Sequence, residues 1–243
     1  GAWVQLTYAL LDANRNNDVV NLATRLLELS NPDRPSNVKD PGFINLDDRL
    51  WLMNNRALAL YRMGQLREAV EDLKHAIRAT PGDEPNVSQT LNLGTMACRA
   101  GYPQEALDSV RPVGQMSDYG RIVLAMVHLC AATQLDDPAG IDSALATIRS
   151  LADGQQMSLL EALLWAGRPD EAERLYLRLL DDPDERADAL LMAQTFVTMD
   201  HLPVAHANEQ TRKSLLARPA VRAAVEKVGR SETFPVPGSY GYD

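Results

Sequence analysis

The chain has 243 residues, 45% of them apolar but only 5% aromatic, and it carries 33 acidic against 24 basic side chains for a net charge of −9. That length can bury a sizeable core, either as one compact domain or as a stack of roughly six to seven 35-residue units. The acidic balance argues against a binder of phosphate backbones, whose affinity comes from Lys and Arg, so no nucleic acid is expected as a partner. No run approaches 18 uninterrupted apolar residues, so nothing in the sequence reads as a membrane-spanning helix. A soluble chain is expected, of the cytoplasm or, if an N-terminal signal was removed, of the periplasm. The opening Gly1-Ala2-Trp3 enters an amphipathic pattern at once, as a processed or truncated start would, which leaves open residues or a domain before Gly1.

The apolar residues are mostly Leu, Ala and Val, which favours helices packed on helices. In chain order, residues 3–29 predict a helix hairpin turning around Asn16-Asn17, and residues 31–46, rich in Pro, Asn and Asp, read as a long loop. The most regular segment follows, with helices over 50–63 and 66–80 separated by Gly64 and closed by Pro81-Gly82. Ala69, Leu73, Ala76 and Ile77 recur there at three- and four-residue steps, one face that must be buried. Further hairpins are expected over 87–113, over 119–151 around Asp136-Asp137-Pro138, over 153–183, and over 187–216 around Asp200. A helix over 220–228 would cover the open end of the stack, and the Pro- and Gly-bearing tail 231–243 reads as extended, with Phe234, Tyr240 and Tyr242 as anchors.

The hairpins share a grammar. Gly64-Gln65-Leu66-Arg67-Glu68-Ala69 returns as Gly101-Tyr102-Pro103-Gln104-Glu105-Ala106, with the glycines 37 residues apart, and again as Gly167-Arg168-Pro169-Asp170-Glu171-Ala172. An apolar helix ends at Gly, and the next begins with an acid in its first turn, where the helix dipole favours it. Here the sequence resembles the tetratricopeptide repeat family, whose unit is a helix hairpin of 34 residues with small residues at the helix crossing and a terminal proline. Over residues 50–83, Ala57, Gly64, Ala69, Leu73, Ala76 and Pro81 fall at the family's positions, while Met53 and Arg56 depart from its usual Trp and Leu. Residues 87–113 and 153–183 match more loosely, and three other hairpins lack the glycine. The resemblance implies an all-α, right-handed superhelical solenoid of about six hairpins over residues 1–230, with a capping helix and an extended tail over 231–243.

Chemistry is absent from the pattern. His75, His128, His201 and His206 are scattered, with no His-Glu-x-x-His or Cys-x-x-Cys pair, so no metal site is expected. No nucleophile elbow, phosphate loop or dinucleotide fingerprint appears either, so no catalytic residue, no cofactor and no enzymatic activity are expected. The acids over 181–188 read as a solvated connector, and the basic cluster over 203–230 as a solvated face with a docking surface as the rival reading. Cys98 and Cys130 each lie in an apolar helical run, where a buried thiol is expected to act as a small hydrophobe and not in a disulfide.

Function is therefore expected on the concave surface lined by the first helices of successive hairpins. The resemblance implies a protein or peptide partner gripped there by Asn54, Asn55, Arg62, Asn92, Arg99 and Arg121. Trp51 and Tyr61 are further candidate anchors that could equally be core, as could Trp165. Asn55 and Asn92 hold the same step of adjacent repeats, and an amide both donates to and accepts from a peptide backbone. First helices lack the lysines of the family's chaperone-binding members, so that specificity is not expected. The reading is an interaction scaffold, in the manner of an assembly or accessory factor. Its rival is a structural arm or self-associating module whose groove its own or a neighbour's tail fills, which leaves homo-oligomers open.

Overall fold

A computed structural model describes residues 1–30, 45–80, 86–197 and 203–237, and among these it has thirteen helices and one two-stranded sheet. Most of the expected loop over 31–46, together with Pro81-Gly82, Asp200, Tyr240 and Tyr242, lies outside the described residues. Ten helices form five antiparallel pairs: α1 (Ala2–Asp12) with α2 (Asn16–Leu29), α3 (Leu46–Arg62) with α4 (Leu66–Ala79), α5 (Val87–Arg99) with α6 (Pro103–Val110), α7 (Asp118–Gln134) with α8 (Pro138–Ser150), and α9 (Gln156–Trp165) with α10 (Pro169–Asp181). Each second helix also packs on the next first helix, and α1 meets α3, α5 meets α7, and α7 meets α9. This is the layered contact pattern of an all-α repeat solenoid, in which each unit buries its apolar face only against its neighbours.

One turn recurs at all five hairpins. A residue in the left-handed region follows each first helix: Asn14 (φ 55), Gly64 (φ 80), Gly101 (φ 86), Asp136 (φ 52) and Gly167 (φ 66). The next amide then donates five residues back, from Arg15 to Leu10 O, Gln65 to Leu60 O, Tyr102 to Ala97 O, Asp137 to Ala132 O and Arg168 to Leu163 O, at 2.8 to 2.9 Å. This Schellman closure satisfies carbonyls that a helix end leaves bare. Asn and Asp tolerate that backbone best after Gly, so the hairpins without the glycine keep the same turn.

The helix expected over 50–63 starts earlier, at Leu46, because Asn45 accepts from the Asp48 amide at 2.7 Å while Asp47 and Asp48 meet the helix dipole. Arg56, where the family has Leu, forms a two-pronged ion pair with Asp72 on α4 at 2.6 Å and donates to Thr24 on α2 at 3.0 Å. A polar clamp across three helices thus takes the place of an apolar contact.

Cys98 and Cys130 form a disulfide, against the expectation of two separate thiols. Both are buried, as expected, but they lie at matching places near the ends of α5 and α7, with 6.3 Å between Cα atoms, which is bridging distance. Gln134 Nε2 covers the pair, lying 3.0 Å from Cys98 Sγ and 3.3 Å from Cys130 Sγ.

The last unit departs from the stack. The hairpin expected over 187–216 does not close as the other five do. α11 (Arg186–Met192) is only seven residues long, too short to offer a face to the fourteen of α12 (Pro203–Leu216), and β1 (Thr195–Val197) interrupts the path. α12 lies instead against α9 and α5, while α13 (Pro219–Val228) takes the place beside α10 and buries Val221 and Val225 there. The tail returns as β2 (Thr233–Pro237), parallel to β1, with Phe196 stacked on Phe234 at 5.5 Å. Pro235 brings no N–H to β2, which blunts it as an edge for further strands.

Candidate functional site

The first helices of successive hairpins line the inner face of such a stack. Three of them, α5, α7 and α9, enclose a pocket of about 210 Å3 walled by Thr95, Arg99, Tyr119, Ile122, Met126, Ser158, Glu161 and Trp165, with the disulfide in its floor. Arg99 ends α5, pairs with Glu161 of α9 at 3.6 Å across the intervening hairpin, and holds its guanidinium 5.6 Å from the Trp165 ring centre. Trp165 is half-buried and packs against both large core clusters, so it is joint and pocket wall at once. Tyr119, in the first turn of α7, is 47% exposed. Partial burial raises its phenol above the ordinary value. The cavity is thus an apolar well with a charged pair in its wall and hydroxyls around it, able to seat one large side chain and to hydrogen-bond the backbone that carries it.

Of the candidate binding residues named from sequence, Arg99 and Trp165 line this pocket. Asn54, Asn55 and Asn92 form a ladder between helices instead: Asn92 donates to Asn54 Oδ1 at 2.7 Å, Asn54 to Asn55 Oδ1 at 3.3 Å, and Asn55 to Thr7 Oγ1 at 2.9 Å. Asn55 has no exposed surface, so the side chain expected on the groove is enclosed in the stack, joining α3 to α1. Arg62 donates to Leu11 O at 2.9 Å, covering a carbonyl at the end of α1. Tyr61 is buried in the core, and Trp51 packs on the first cluster beside Val4 and Leu52. Arg121 pairs with Asp118 at 3.1 Å and borders a different cleft, with His128, between α6, α7 and α8. Phe234 stands at the sheet and is 40% exposed. The matching spacing of the asparagines was a correct repeat signal, but it does not say which edge of the helix faces the neighbour. Tyr119, Ser158 and Glu161 were missed because the positions carried over from the family were Asn and Arg, and a hydroxyl or an acid on a first helix gives no comparable signal.

Residues 49–80 match the tetratricopeptide repeat family model. The matched repeat is α3 with α4, the pair read most clearly from sequence, and the hairpins after it repeat its turn. Its likeness supports a role in protein interaction for the chain. No curated protein matches the sequence. Among the described residues no group of His, Cys, Asp and Glu could hold a metal ion, and no helix is long and apolar enough to cross a membrane. The basic residues beyond the matched repeat are largely answered from within the chain. Arg212 pairs with Glu209, Arg218 with Asp170 and Glu173, and Lys227 with Asp181.

Proposed function

We propose that the chain is a non-enzymatic scaffold that captures a segment of a partner protein, peptide or helix, on its concave face, with the pocket between α5, α7 and α9 as the anchoring point. The pocket carries this reading: three successive first helices converge on one apolar well whose wall holds the Arg99–Glu161 pair. Aromatic and Arg groups gathered at the centre of a concave surface are where binding energy concentrates. Asn54, Asn55, Asn92 and Arg62 serve the site at one remove, by fixing the angle between the helices that precede it. The test is affinity capture from the native organism's lysate with the wild-type chain and an Arg99→Glu, Tyr119→Ala variant whose circular dichroism matches. A protein retained by the first and lost by the second supports the pocket; equal retention by both sinks it.

A second reading, a structural arm, is favoured by one observation: the described part of the C-terminal region, to residue 237, lies on its own body, where β2 pairs with β1 and α12 reaches α5 and α9. A chain that captures nothing, and that loses melting temperature or oligomers when residues 231–243 are deleted, fits this reading better.

A further inference from the structure

The scaffold reading leaves the floor of the pocket unused. Cys98 and Cys130, the two cysteines of the chain, line the cavity together with Arg99, Ile122, Met126 and Trp165, so a molecule seated in the well meets their bond. Cys130 is 5% exposed and Cys98 has no exposed surface, which makes Cys130 the more open of the two to attack. Both stand near the ends of their helices, where the negative end of the dipole disfavours a thiolate. Gln134 supplies the counterweight. Its Nε2 donates to the carbonyls of Cys98 and Cys130 at 3.0 and 3.3 Å and lies 3.0 Å from Cys98 Sγ against 3.3 Å from Cys130 Sγ. A hydrogen bond to a charged form favours that form, so this amide favours a thiolate on Cys98.

Thiol–disulfide exchange depends on access, on which sulfur is attacked and on how well the leaving thiolate is held. We propose that the pocket is a thiol-exchange site, where a low-molecular-weight thiol enters the well and opens the disulfide at Cys130. The incoming thiolate bonds to Cys130 Sγ, the bond between the two Sγ atoms breaks, and its electron pair leaves on Cys98 Sγ, held by the Gln134 N–H until water protonates it. A second thiolate then attacks the sulfur of the first and releases Cys130, which is protonated in turn. Two thiols thus depart as their own disulfide, and the chain gains two cysteine thiols. A cavity of about 210 Å3 admits a thiol the size of a side chain and excludes a folded protein dithiol. Because the bond joins α5 to α7, two of the three walls, exchange unties the pocket in which it begins. The proposal needs the pocket and no occupant, so it stands apart from the protein-binding reading.

The test follows the oxidised full chain in 2-mercaptoethanol, quenched with iodoacetamide and read by intact mass. Urea up to the foot of the unfolding transition is expected to change the rate of reduction by less than threefold; a steeper rise reports attack on the unfolded chain and overturns the pocket route. A thiol carried on dextran, at equal thiolate, should react at least tenfold more slowly, and a smaller difference overturns entry through the well. Single-thiol chains, Cys98→Ser and Cys130→Ser, are offered methyl methanethiosulfonate, with Ala in place of Ser where the melting transition is lost. The first, which keeps Cys130, should react at least tenfold faster, and equal or reversed rates overturn the order of attack. Gln134→Leu, or Gln134→Met should Leu lower the melting point, is expected to slow reduction at least threefold; an unchanged rate overturns the part given to the amide.

Discussion

A buried amide is costly when its partner goes, and the ladder Asn92–Asn54–Asn55–Thr7 depends on every rung. Asn55→Ala leaves Thr7 and Asn54 without their shared neighbour and should cost about 1–3 kcal/mol, read as a lower urea midpoint at unchanged slope. A side chain whose only task was to hold a partner would leave that midpoint alone, so the same measurement separates the two roles the sequence allowed. Glu105 offers a second single-residue test. Hydrogen bonding from Lys74, first of all, with help from Arg67, holds its carboxyl below the usual range despite partial burial. A depressed carboxyl stabilises the fold above its unfolded pKa, and that stability disappears as pH falls through the folded value. Glu105→Gln should therefore narrow the stability lost on acidifying from about pH 5 to about pH 3, by no more than about 1 kcal/mol because the pair is partly solvated.

Among the elements, the recurring turn shows what was legible and what was not. Gly64, Gly101 and Gly167 announced three hairpins, because few residues other than glycine sit easily at positive φ. Asn14 and Asp136 make the same closure; the turn at Asp136 was legible from Asp136-Asp137-Pro138, whereas the first was read two residues late, at Asn16-Asn17, because Asn occurs so widely in loops. A Cβ at Gly167 would meet nothing within 4 Å, so Gly167→Ala tests the backbone alone. It should lower stability by about 1–2 kcal/mol, and Gly167→Asn by less, in paired thermal melts. Gly94 is a different case: a Cβ there would collide with Val110 of α6, so its smallness serves the helix crossing and not a turn. The start of α3 was read four residues late because the cap, Asn45, sits at the edge of a polar stretch. The path of α12 was beyond reading, since helical periodicity predicts a buried face without naming what buries it.

For the whole molecule, the stack and its order were readable because the repeat grammar is local, whereas the Cys98–Cys130 pairing was not, because each thiol sits in an unremarkable apolar run. The bond spans 32 residues and ties the third hairpin to the fourth. Closing a loop of that size restrains the unfolded chain enough to stabilise the fold by about 3–4 kcal/mol, so reduction, or a Cys98→Ser, Cys130→Ser pair, should lower the melting point by several degrees. A solenoid otherwise comes apart unit by unit, with its ends loosest. Under tension this changes the yarn itself: pulled from its two termini, the oxidised chain keeps the 32-residue span between the cysteines as slack that never pays out. Its full extension should fall short of the reduced chain's by about 110 Å, as a missing step in a force–distance trace.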